Sequence, residues 1–187
     1  KRDLHFYTNT TIDTLDYSSK ELNAGSKVVV AAVGEARREL GTRLPAIEWD
    51  KNVQLQHLAF PGVIAIQLSK FTDYKSEEQR MHAIATKLED SFESLDNFPL
   101  ILVCDDSEFI SKTFSNLLWS VFTRSNPSHD IYGVKSFIRY KHWGCEGPLM
   151  IDCRMKPHNA PYLELDPDVE KSVDALAVKG KSLHGII

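Results

Sequence analysis

A chain of 187 residues with 42% hydrophobic composition can bury a core and suits one domain, or one domain with an appendage. Its net charge of −4, with Lys and Arg scattered rather than clustered, excludes the basic footprint of a nucleic-acid binder. No apolar run approaches the roughly 18 residues of a membrane helix, and the opening KRDLHFYTNT lacks the pattern of a signal peptide.

Cys104, Cys145 and Cys153 are an odd set with neither CxxC nor zinc spacing, so a reducing, cytoplasmic setting is expected. No base with an orienting acid accompanies Cys145 or Cys153 in the sequence, which gives nucleophilic catalysis little support. The chain opens at Lys1 without methionine, so a piece of a longer polypeptide is expected, with catalytic residues outside it.

In chain order, Leu4 to Tyr7 reads as a short strand, and the turn Asn23, Ala24, Gly25 leads into a β-branched strand over Lys27 to Val33. Glu35 to Pro45 is basic and loosely helical, and Pro45 to Asn52 is a connector. Gly62 to Leu68 is a second apolar strand, and Ser76 with Gln79 forms a capping box for a helix. In that helix Met81, Ile84, Ala85, Leu88 and Phe92 make one apolar stripe.

Leu100 to Cys104 is continuously apolar, as a strand covered on both faces must be. Asp105 and Asp106 follow it, at the strand end where open α/β sheets gather ligands. A helix is predicted from about Ser111 to Arg124, burying Phe114, Leu117, Leu118, Val121 and Phe122, and it stops at Asn126 and Pro127. Val134 to Tyr140 and Leu149 to Cys153 read as strands. Asp166 caps a last helix at Pro167, with Val169, Val173 and Leu176 predicted inward. The alternation predicts an α/β fold, a three-layer α/β/α sandwich with a mixed sheet. RDLHFYTNT followed by GSKVVVAA also echoes, in layout, HDIYGVKSF followed by GPLMIDCR.

Three groups of residues invite chemistry. Asp105 and Asp106 can hold Mg²⁺ or cap the helix that follows. With Asp152 they resemble the acid set of a receiver-like signalling module, although too little chain follows Asp152 for the two βα units a receiver still needs. Gly25, Ser26 and Lys27 can offer backbone N–H groups and an ammonium to a phosphate, or simply begin a strand with a surface lysine. Arg139, His142, Arg154, Lys156 and His158, with Trp143, make either an anion pocket or solvated loop charges.

From Phe98 to about Ala177 the chain resembles the C-terminal domain of UbiD-like carboxy-lyases. The residues that carry the resemblance are LILVCDD, LLWSVFTR, NPSHD, the Gly147 loop with LMIDCRMK, and LDPDVEKSVDALA. RDLHFYTNTTIDTLDYSS with AGSKVVVAA resembles a segment of the same domain. The resemblance implies two copies: residues 1–45 as the tail of a first, and 46–187 as a second, more complete one.

It further implies a decarboxylase of 3-polyprenyl-4-hydroxybenzoate or a related aromatic acid, in quinone synthesis, that uses prenylated FMN. Lys27, with Gly25 and Ser26, is then the candidate for the flavin phosphate, and the second copy has Gly147, Pro148, Leu149 instead. The catalytic residues, Mn²⁺ and K⁺ are implied only in an upstream split-barrel domain of the same polypeptide. On this reading the chain alone is inactive and assists closure over the cofactor and homo-oligomer formation.

Overall fold

Pro61 and Gly62 set the first corner of the main sheet. Gly62 has φ of +77°, which suits the third position of a type II turn after proline. Through it β3 (Leu55–Phe60) pairs antiparallel with β4 (Val63–Gln67). The computed structural model describes residues 4–10, 25–30, 34–36, 38–159 and 166–186, the first two spans by their backbone alone. Two compact units divide the chain, Lys1–Pro157 and His158–Ile187.

In the first unit the main sheet has the order β3-β4-β5-β9-β6, where β5 is Leu100–Cys104, β6 is Ile131–Gly133 and β9 is Leu149–Asp152. Pairing is parallel for β4 with β5 and for β5 with β9, and antiparallel for β6 with β9. The fold is therefore α/β with a mixed sheet. Apart from it, β1 (Leu4–Thr10) and β2 (Gly25–Val30) form an antiparallel pair. A hairpin joins β7 (Ser136–Arg139) and β8 (His142–Cys145).

Alternate side chains of the central strands enter opposite cores, as a pleated strand covered on both sides requires. Ile64, Ile66, Ile101, Val103 and Met150 pack with Met81, Ile84, Ala85 and Leu88 of α1 (Tyr74–Glu89). Ala65, Leu102 and Cys104 pack with Ile110 of α2 (Ser107–Lys112) and Leu117 of α3 (Phe114–Arg124).

Several boundaries differ from the sequence reading. The predicted helix over Ser111 to Arg124 is two helices meeting at Thr113, whose extended backbone (φ −145°) closes α2 while its hydroxyl accepts from Asn116 N–H to start α3. Leu117 is buried, but Phe114, Leu118 and Phe122 are exposed, so the buried face of α3 is narrower than predicted. Helix α1 begins at Tyr74 with Asp73 as its cap, accepting from Ser76 N–H, rather than with Ser76 itself.

The segment around Gly41 is not helical. Its backbone bonds go sideways instead: Gly41 N–H donates to Asn97 carbonyl at 2.9 Å, and Gly62 N–H donates to Gly41 carbonyl at 2.8 Å. A methyl group on Gly41 would meet the Phe98 ring at 2.2 Å, so this close approach requires glycine.

In the second unit α4 (Pro167–Ala177) starts at Asp166, whose carboxylate accepts from Asp168 and Val169 N–H groups. Val169, Val173 and Leu176 are exposed in that unit, against the inward placement predicted for them.

Candidate functional site

The carboxyl ends of β5 and β9 deliver acids side by side, and each acid finds its own partner. Asp106 caps α2, accepting from Phe109 N–H at 2.9 Å. Asp105 instead accepts Met155 N–H at 2.6 Å and lies 3.6 Å from Arg124, tying β5 to the chain beyond β9 and to the end of α3. Neighbouring aspartates thus do two different mechanical jobs.

Asp152 is buried and takes Arg154 in a fork: Nε donates to Oδ1 at 3.0 Å and Nη2 to Oδ2 at 2.6 Å. The same guanidinium reaches Glu77 of α1 at 2.7 Å and donates to the Ser69 carbonyl at 2.9 Å. Burial pulls the Arg154 guanidinium down, but hydrogen bonding and charge from Asp152, and then from Glu77, outweigh it and leave it raised. Bidentate geometry of this kind suits a desolvated arginine and carboxylate pair.

Lys156 is equally buried. Its ammonium donates to the Asp152 carbonyl at 2.6 Å and the Arg124 carbonyl at 3.1 Å, and pairs with Asp130 at 3.0 Å. Asp130 also accepts Asn126 N–H at 2.6 Å, closing the NPSHD turn on itself, and its carbonyl accepts Asp152 N–H at 2.9 Å, which holds that turn against β9. Every charge in this cluster has an opposite charge or a carbonyl against it, as burial demands. The arrangement braces α1, α3, β5 and β9, and it offers no reactive group to a ligand.

These contacts decide the sequence candidates. The receiver reading fails, because the sheet is mixed and Asp105, Asp106 and Asp152 serve a main-chain tie, a helix cap and a buried arginine. Among the described residues no group of three or more His, Cys, Asp or Glu is placed to hold a metal ion. The proposed anion pocket is not assembled either. Arg154 and Lys156 are sealed in the core, whereas Arg139 and His142 sit exposed on the hairpin and His158 belongs to the second unit.

Gly25 and Lys27 lie in β2, opposite Thr10 and Tyr7, with Ser26 between them, and the side chains of Ser26 and Lys27 lie outside the described residues. The Gly147, Pro148, Leu149 turn, which the sequence resemblance set beside Gly25 to Lys27, does not fit a flavin phosphate. A methyl on Gly147 would meet Val134 at 2.9 Å, Gly147 N–H is spent on the Val134 carbonyl, and proline has no N–H to give.

Glu77 was not singled out from sequence, and Arg124 and Asp130 entered only as the ends of LLWSVFTR and NPSHD, with no role assigned. The signal available was weak: a Glu in the first turn of α1 reads as an ordinary dipole partner. Cys153 is buried, and burial first, then Asp152, pushes its thiol up to about 12, while burial raises the Cys104 thiol as well. Neither is a nucleophile near neutral pH.

Residues 1–32 match the family model described as the 3-octaprenyl-4-hydroxybenzoate carboxy-lyase C-terminal domain. The chain is 27% identical over 174 residues to a 4-hydroxybenzoate decarboxylase component of Chlamydia pneumoniae, covering 92% of the chain and 27% of the relative. It is 28% identical over 179 residues to an uncharacterized protein of Chlamydia muridarum, covering 93% of the chain and 28% of that relative. The chain thus spans about a quarter of the length of these curated relatives.

A solved structure of the UbiD-class enzyme HmfF from Pelotomaculum thermopropionicum, in complex with prFMN, aligns at a TM-score of 0.35 with 18% identity, over 61% of this chain and 22% of that one. The chain is thus similar to the C-terminal domain of UbiD-like carboxy-lyases over residues 1–32, and to a decarboxylase component along most of its length.

Proposed function

We propose that the chain is the C-terminal region of a prenylated-FMN-dependent decarboxylase acting on a hydroxybenzoate-type aromatic acid, polyprenylated or not, in quinone synthesis. The observation that carries this reading is the match of residues 1–32, which contain Gly25, Ser26 and Lys27, to the carboxy-lyase C-terminal model, within a likeness to a decarboxylase component along 92% of the chain. Lys27 holds the flavin phosphate, aided by backbone N–H groups at Gly25 and Ser26. When bound, the flavin supplies the electron sink for loss of CO₂. Mn²⁺, K⁺ and the acid–base residues belong to an upstream split-barrel domain of the same polypeptide.

Residues 1–45 are the tail of a first copy, and 46–187 a second copy folded as a three-layer α/β/α sandwich. The repeat is supported by pairing, since β1 with β2 and β6 with β9 are both antiparallel. The layering is supported by the two cores on alternate residues of the same strands. The second copy is architectural, because its Gly147 turn is closed and its Arg154 and Lys156 are consumed inside. It works in the cytoplasm, closes over the cofactor site and aids homo-oligomer formation.

The chain supplied alone with prenylated FMN and 4-hydroxybenzoate is expected to release no CO₂, whereas the full polypeptide does. Turnover by the chain alone would refute the assignment of the chemistry to another domain.

A further inference from the structure

A cleft of about 270 Å³ opens beside β6, away from the Gly147 turn, and six of its lining residues are rings or a carboxylate: Tyr74, Glu78, His82, His129, Tyr132 and Trp143. Helix α1 supplies Tyr74, Glu78 and His82 at successive i, i+4 positions, which lie on one face. The turn before β6 and β6 itself supply His129 and Tyr132. The hairpin supplies Trp143, brought in by a glycine: a methyl on Gly133 would stand 3.3 Å from the Trp143 ring and 2.4 Å from Cys145 Cβ.

The rings buttress one another. Tyr74 and His129 have centroids 4.9 Å apart, and His82 meets Tyr132 edge-to-face at 5.6 Å. Ser128 Oγ lies 2.7 Å from His129 Nδ1 and fixes that imidazole. Glu78 reaches only a distant contact with His82, at 4.0 Å, and its side chain is mostly exposed, so the carboxylate is available to a ligand.

Charge sets the ligand class. Among the described residues no lysine or arginine lines the cleft, while Glu78 does. Burial first, and then the carboxylates of Asp152, Asp130 and Glu78 against an opposing Arg154, raise the Tyr132 hydroxyl, so that ring stays neutral in the wall. An aromatic carboxylate or a phosphate would be repelled. The volume also falls below the roughly 300–1,000 Å³ of ordinary small-molecule sites, too small for a flavin.

Aromatic faces with one carboxylate are the chemistry that recognises alkylated ammonium groups. We propose that this cleft binds a small organic cation of the tertiary or quaternary ammonium class, seated among Tyr74, Tyr132 and Trp143 with Glu78 as its counter-charge. The site lies in the second copy and stands whether or not that copy touches a flavin.

Calorimetric titration of the full polypeptide tests it, with choline as the probe and its neutral isostere 3,3-dimethylbutan-1-ol as the charge control. Saturable choline binding is expected, at least tenfold tighter than that of the alcohol. Glu78→Gln and Trp143→Ala should each weaken choline at least fivefold with little change in melting temperature, because the Glu78 side chain is mostly exposed and Trp143 is about half exposed. A choline titration that does not saturate, equal binding of the neutral alcohol, or full affinity in both variants would overturn the proposal.

Discussion

Asp152 shows how much one residue's role depends on what surrounds it. In sequence it sits in MIDCRMK like an acid awaiting a cation; in the fold, Arg154 and Lys156 from its own segment return to it. Such a pair is weak evidence of net stabilisation, but leaving one member alone is costly. Asp152→Asn or Lys156→Ala should each lower unfolding free energy by about 3–5 kcal/mol in denaturant titration, against about 1 kcal/mol for loss of the Asp106 cap by Asp106→Ala. Similar costs for all three would contradict the division of labour described above.

Ser120 is the opposite case, a buried hydroxyl with no hydrogen-bond partner among the described residues. Ser120→Ala should therefore leave stability unchanged or raise it by about 1 kcal/mol, readable as a higher denaturation midpoint.

The thiols carry a pH prediction. A buried thiol raised above its usual value of 9 favours the folded state at low and neutral pH. That contribution is complete below pH 9 and is lost as pH rises toward about 12 for Cys153. Alkaline unfolding should begin above pH 9, and iodoacetamide at pH 8 should label half-buried Cys145 before Cys104 or Cys153. Early labelling of Cys153 would contradict its burial.

At the scale of elements, the sequence was most legible where one physical demand dominated. The unbroken apolar run of β5 and the Met81, Ile84, Ala85, Leu88 stripe of α1 each reflect burial, and both lie where that demand predicts. Strand β3 was overlooked although its signal was present in the proline–glycine turn joining two apolar runs. The β7–β8 hairpin had no such signal. Its turn residues Tyr140 and Lys141 hold φ of 49° and 66°, a left-handed conformation normally filled by Asn and Gly. Replacing them by Asn-Gly should stabilise the chain by about 1–2 kcal/mol, seen as a raised melting temperature; no gain would mean that the turn is not strained. The face of α3 was misread because periodicity locates an apolar stripe but not its covered width, and Phe114, Trp119 and Phe122 remain exposed in this unit.

For the whole molecule, ionic and aromatic features separate by role. The charged cluster locks helices to strand ends, and the Gly147 turn is shut against Val134. The sequence revealed which residue types were there, but not that Arg154 and Lys156 face inward, because their burial depends on Glu77 and Asp130, which come from distant segments. On this account cofactor contact within the chain rests with the first copy alone. The most direct measurement is prenylated-flavin retention, by absorbance and mass after gel filtration, in the full polypeptide carrying Lys27→Ala or Pro148→Ala. The account predicts that Lys27→Ala loses most of the flavin while Pro148→Ala retains it; retention in the first, or loss in the second with the fold intact, would contradict it.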